Sequence, residues 1–473
     1  MIKLLYSFLL FILLVSCSSK ENDTKHHFYA NVAQSVITPS AGTYIVEPRG
    51  NLSTGIHDDL FVKAVALGDG KKIFVIVSFD LIGFDDSLVN SLRKAVLDSS
   101  GIKAEQLMLS CTHTHNSPIT LNAMDPLPEK MGEGKSKRDL RWEKQMIAIT
   151  AGTVKSAVNN LKEASVSKGK APVQIGFNRR LNQSTSATMI PNPNGPVLKE
   201  TDVVTIKDDE SEIAVLFSYA AHPVSVHSTS TEFSADFPGY AVRYIQSKYP
   251  RSIPVFLQGC AGNINSTLRG GYEGAELDGK KLGDAVLKSA ENSKKIDPTP
   301  IFYAQRNFYL PFRDIDVETA GLIIKRIDES FKTLKENNPD FKQSMSQMDI
   351  VKWAQRLKFI AENKASHPGL PFQAQALALG KSLAIIAFPD EVFVDYALYI
   401  KEHSPFEQTI VLGYTNGSES YIPSAEAFYL GGYETGYAQQ AYGQPFLTPA
   451  CDKIIKTESM KLLNELWEKY SEK

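Results

Sequence analysis

From about residue 60 onward the chain alternates short, continuously apolar runs with longer stretches whose apolar residues recur every three or four positions. Runs this uniform do not suit strands with one wet face. They read as strands buried on both sides, and their alternation with helices makes the fold α/β, a mixed β-sheet core flanked by helices. Strands are expected over 61–67, 72–79, 106–111, 213–219, 253–257, 383–388 and 409–413, and helices over 87–99, 139–164, 239–247, 277–292, 317–337, 349–363 and 452–470. Segments 180–200 and 415–450, rich in Asn, Ser, Gly, Pro and Tyr and without period, read as ordered loops near a site. No internal repeat is visible and no Pro/Ser-rich linker follows residue 30, so 33–473 reads as one catalytic-size domain.

How the apolar runs end is more informative. One passes into Thr112-His113-Thr114-His115-Asn116-Ser117-Pro118, and another into His222-Pro223-Val224-Ser225. A third passes into Gln258-Gly259-Cys260-Ala261-Gly262-Asn263-Ile264-Asn265, and a fourth into Pro389-Asp390-Glu391. Ligands of α/β sheets bind outside the carboxyl ends of strands, so these ends would deliver three histidines, a glutamine, asparagine and a carboxylate to one rim. Each residue alone has a plain structural explanation, such as a loop histidine or a carboxylate at a helix N-terminus. Together, imidazoles and a carboxylate form a ligand set that suits zinc with an open coordination position.

Composition excludes several classes. Against 53 Asp plus Glu stand 51 Lys plus Arg, so no basic field exists to hold nucleic acid through its phosphates. Four cysteines in 473 residues do not make a disulfide scaffold. Lys3 followed by an apolar run to Val15 reads as a signal peptide over 1–16, too short to span a bilayer comfortably. The ending Leu14-Val15-Ser16-Cys17 resembles a bacterial lipobox, which makes Cys17 a lipidated first residue and 17–32 a polar tether. The expected location is therefore the bacterial cell envelope, with the protein anchored to a membrane, on its periplasmic or surface face, rather than spanning it. Of the remaining Cys111, Cys260 and Cys451, at least one stays unpaired.

In these same residues the chain resembles the neutral, non-lysosomal ceramidases, specifically their N-terminal catalytic domain. The resemblance runs over about residues 33–450. It rests on Gly55-Ile56-His57-Asp58, Phe79-Asp80-Leu81, the Thr-His-Thr-His run, Asn178-Arg179, Ala221-His222-Pro223, Asp236-Phe237-Pro238-Gly239-Tyr240, Ala261-Gly262, Pro389-Asp390-Glu391, Tyr421-Ile422 and Gly432-Tyr433-Glu434. It implies a mononuclear zinc amidase whose metal is held by His113, His222, Glu391 and Tyr421. His115, Arg179 and Tyr433 would then surround the scissile carbonyl of ceramide, an N-acylsphingosine, or a related N-acyl lipid. The family's Gly-Asp-Val-Ser-Pro is here Gly262-Asn263-Ile264-Asn265-Ser266. Asn265 stands at the serine's place, so zinc-activated water is the expected nucleophile and Asn265 a hydrogen-bonding group. The chain ends at Lys473 without the family's immunoglobulin-like module, which leaves the choice of amide substrate open. Two other readings have a sequence feature behind them. One is a thiol hydrolase built on Cys260. The other is a non-catalytic surface lipoprotein whose aromatic stretch 414–442 binds lipid or glycan.

Overall fold

Three pairs of parallel strands, each closed by a helix, organise the molecule. In this computed structural model, which describes residues 27–125, 137–182, 187–338 and 344–471, the pairs are Ile73–Phe79 with Leu107–Cys111, Glu212–Tyr219 with Ile253–Gln258, and Leu383–Ala387 with Gln408–Leu412. A parallel pair needs a crossover, and the helices Asp86–Ser100, Asp236–Lys248 and Val394–His403 supply it. Each pair lies at the edge of its own sheet, extended by antiparallel strands. The first sheet continues through Phe61–Gly68 and Tyr29–Val36, the second through Glu200–Lys207 and Ser165–Pro172, and the third through Leu370–Leu379 and Ile301–Leu310.

The uniform apolarity of the strands follows from this arrangement. Alternate residues face two different cores. Val75, Val77 and Phe79 pack on the helices Asp86–Ser100 and Leu140–Asn159, whereas Phe74 and Ile76 enter a core shared by all three sheets. Val215 and Phe217 face helices while Leu216 faces the shared core, and Ala384 and Ile386 contrast in the same way with Ile385. The three parallel pairs meet there. Ser78 Oγ donates to Phe256 O (2.7 Å), Cys111 N to Tyr414 O (3.1 Å), and Gly413 N to Gln258 O (3.2 Å).

The α/β class and every expected strand and helix position are found, with boundary shifts of four or five residues in three helices: those expected from 277 and 349 begin earlier, at Tyr272 and Met345. The helix expected over 139–164 begins as read, with Asp139 accepting from Arg141 N and Trp142 N, but ends at Asn159. Residues beyond it form the strands Lys162–Glu163 and Ser165–Pro172. Segment 180–200 is not simply loop, since Gly176–Asn182 pairs with Ala187–Asn192. Within 415–450 lie the short strand Tyr421–Ile422 and the helices Ala425–Leu430 and Tyr437–Ala441. The boundary drawn at residue 33 falls inside the strand Tyr29–Val36. The signal segment and Cys17 lie outside the described residues. Cys111, Cys260 and Cys451 are all free and buried.

Candidate active site

Each of the three edges contributes one polar group to a common point. His113 follows Leu107–Cys111, His222 follows Glu212–Tyr219, and Glu391 follows Leu383–Ala387. All three are no more than 2% exposed. His113, Asp390, Tyr414 and Asn416 adopt positive φ (67°, 69°, 51° and 65°), a conformation non-glycine residues rarely take and one that gathers at functional sites. Gly262 is required beside them, because a Cβ there would run into the Glu391 carbonyl.

The hydrogen bonds fix which atoms face the centre. His113 Nδ1 donates to Ile82 O (2.6 Å) and His222 Nδ1 to Ala261 O (2.7 Å), which leaves both Nε2 atoms as lone pairs. Both Nε2 atoms point at Glu391 Oε2, at 3.4 Å for His113 and 2.9 Å for His222. Burial and the Arg179 charge push His222 down to about 4, so it is neutral at pH 7. Burial raises Glu391, and a lowering through His113 and His222 to well below the usual carboxylate range requires positive charge between the imidazoles and the carboxylate. Lone pairs aimed at a carboxylate call for a shared cation between them. With each Nδ1 tied to a carbonyl, as in metal-ligating histidines, the donor set fits a divalent metal such as zinc.

Around this point stand the other residues named from the sequence. Arg179 donates through Nη2 to Tyr421 Oη (3.0 Å), through Nη1 to Asn265 Oδ1 (3.1 Å), and through Nε to Glu434 Oε1 (2.9 Å). Tyr421 Oη lies 3.4 Å from His222 Nε2. Burial and the Glu391 charge raise its phenol well above the usual value, so ligation as phenolate would depend on the metal's charge. Tyr433, at the partly exposed mouth, has its ring 5.8 Å from that of Tyr421 and 5.8 Å from the Arg179 guanidinium. His115 sits edge-on to His113 at 5.0 Å. The ligand atoms of His113, His115 and His222 lie within 4.8 Å of one another, so His115 is also placed to ligate.

The site thus unites His113, His115, His222, Glu391, Tyr421, Arg179, Asn265 and Tyr433. Three participants had no role assigned from sequence. Tyr442 donates to Glu391 Oε1 (2.7 Å), Glu434 holds both Arg179 and Arg180, and the Tyr414 ring lies 4.2 Å from His113. Glu434 lay in a quoted motif, while Tyr414 and Tyr442 only bounded an aromatic stretch. Tyr442→Phe is expected to weaken metal binding or turnover about 10-fold to 100-fold by freeing Glu391 to rotate, read by metal titration alongside steady-state kinetics.

Fold and centre define an α/β protein with a buried histidine–carboxylate site at the carboxyl ends of parallel strands. The resemblance to the neutral, non-lysosomal ceramidases is borne out: residues 49–270 match the family model described as neutral/alkaline non-lysosomal ceramidase, N-terminal. His113, Arg179, His222 and Asn265 fall within that stretch, and Glu391, Tyr421 and Tyr433 beyond it. The fold resembles that of neutral ceramidase from Pseudomonas aeruginosa, with a TM-score of 0.69 over 94% of this chain and 75% of that one, at 15% identity. It also resembles a ceramidase complexed with C2, with a TM-score of 0.68 over 94% of this chain and 76% of that one, at 13% identity. At such identities the likeness is one of fold.

Proposed function

We propose that this chain is a zinc-dependent hydrolase that cleaves the amide bond of ceramide or a related N-acyl lipid. The observation that carries the reading is the convergence of two oriented imidazole lone pairs and the Glu391 carboxylate in a buried centre beside a guanidinium. The family match and the named ceramidases of like fold support the substrate class.

His113, His222, Glu391 and Tyr421 would hold the zinc. When bound there, zinc supplies an acidified water and polarises an amide carbonyl. The chain's own groups do the rest. Arg179 cannot swing away, because Glu434, Asn265 and Tyr421 each take one of its donors. Its fixed charge, with Tyr433 and His115, stabilises the oxyanion, an effect of about 3 kcal/mol per well-placed donor. Burial and the neighbouring His113, His227 and His222 hold His115 well below its ordinary pKa, so it acts as a neutral imidazole with one donor and one acceptor nitrogen. Asn265 orients Arg179 rather than serving as nucleophile. Purified protein reconstituted with zinc should cleave N-acylsphingosine or another member of an N-acyl amine panel. Full turnover by metal-free protein would overturn the reading.

The thiol alternative fits the site poorly. Cys260 packs in the apolar core and burial pushes its thiol far up, where a nucleophilic thiolate is disfavoured. Cys260→Ala is expected to retain activity within about threefold, and iodoacetamide to leave the native enzyme active; its core packing predicts only a mild stability change. The envelope location is likewise part of the proposal. A Cys17→Ser variant should leave the membrane fraction and enter the soluble one, and one that stays membrane-bound would refute lipid anchoring at that residue.

A further inference from the structure

Beside the centre lies a second group of ligating side chains. Glu47, His115 and His227 come from three separate segments, and their ligand atoms lie within 4.8 Å of one another. Backbone contacts hold them in place: Glu47 N donates to His115 O (3.1 Å), and Asn116 Nδ2 donates to His227 O (3.2 Å). His227 takes positive φ (38°) and bonds Ser228 Oγ through Nδ1 (3.0 Å), which leaves Nε2 uncommitted. One Glu47 oxygen, Oε2, accepts from Arg49 N (3.1 Å). Both ring nitrogens of His115 are buried and lack any hydrogen-bond partner in the protein. A buried imidazole with neither nitrogen satisfied is costly, and it marks a place where something else binds.

We infer that Glu47, His115 and His227 form a second divalent-cation site adjoining the first. Two imidazoles and one carboxylate with open positions suit zinc or a similar transition ion. His115 belongs to both groups, and an imidazole offers two nitrogens, one able to bind a cation while the other carries an N–H. A cation takes the lone pair of one nitrogen and thereby fixes the tautomer, so the other nitrogen carries the N–H. Where the hydrolase reading holds, that N–H is the donor to the substrate carbonyl, and the second ion sets its direction. Two like charges this close repel, so the second ion binds in a separate, weaker step.

The test counts ions. Full-length protein is stripped with chelator and brought to equilibrium by dialysis against a series of free zinc concentrations, with protein-bound zinc counted by atomic emission. Two zinc ions per parent chain are expected, with one retained by Glu47→Gln and one by His227→Ala. His113→Ala should lose the tighter ion, which separates a failure of the main centre from a failure of this one. Turnover in Glu47→Gln should fall about 10-fold to 100-fold, as for changes to groups that orient a working side chain. Glu47→Gln preserves side-chain size and decides the matter alone if His227→Ala fails to fold. One ion in the parent chain, or two retained by Glu47→Gln, would overturn the second site. So would a single-ion protein in which Glu47→Gln weakens inhibition by a long-chain amine, an outcome that assigns the trio to the leaving amine.

Discussion

His113→Ala and Glu391→Ala are each expected to abolish tight metal binding and, if the chain is the proposed zinc amidase, to lower amide hydrolysis by roughly 10³-fold or more. The size follows from what the metal supplies. Zinc held there would bring the pKa of its water from 15.7 to about 7, an acidity that the side chains of the centre do not supply at neutral pH. Glu391 is the more sensitive position, because both Nε2 atoms converge on its Oε2 and Tyr442 fixes its Oε1. Glu391→Gln keeps the shape and removes the charge. It should lose metal nearly as completely as alanine does, which distinguishes ligation from packing. Parallel measurement of zinc content, turnover and thermal melting checks the prediction; a folded variant with full zinc and full activity would contradict it.

Arg179→Met is expected to cost about 10²- to 10³-fold in kcat, in the range for removing one preorganised donor to a developing oxyanion, while zinc content stays at the parent level. A stability loss accompanies it, moderated by the neighbouring residue. Glu434 is buried and takes both Arg179 and Arg180, so it keeps a cationic partner when Arg179 is gone. The cost should therefore stay below the roughly 3–5 kcal/mol of a fully orphaned buried charge. Arg180→Met offers the contrast. Arg180 binds Glu434 and Gly431 O without touching Tyr421 or Asn265, so its loss should lower the melting temperature more than kcat. Equal effects of the two substitutions on kcat would argue that Arg179 serves structure alone.

His113, His222 and Glu391 were legible because each sits where an apolar run stops; Tyr421, in the aperiodic stretch 415–450, was named only through the resemblance. A strand buried on both faces leaves an unmistakable run, and the first polar residues after it are those at the carboxyl rim. The antiparallel partners were not legible. Ser165–Pro172 carries Lys168 and Lys170, and its exposure alternates, so it shows neither an apolar run nor a helical period. That strand received no assignment, and the short strand Lys162–Glu163 before it was absorbed into the helix read over 139–164. Nor does any residue pattern announce that the parallel pairs belong to three different sheets. That fact lives in contacts between edges, such as Ser78 with Phe256, far apart in sequence. Tyr442 and Glu434 escaped for a related reason: they lie in the Tyr- and Gly-rich stretch, where backbone contacts rather than periodicity set position. Their partners Glu391 and Arg179 are distant along the chain.

The meeting of the three edges also bears on when the centre comes into being. His113, His222 and Glu391 are separated by about 110 and 170 residues, so a bound ion closes two long loops at once. Chains fold from the N-terminus as they emerge. The first two histidines are in place while the segment bearing the carboxylate has yet to arrive. The histidine–carboxylate centre is thus completed only when the segment carrying Glu391 has docked.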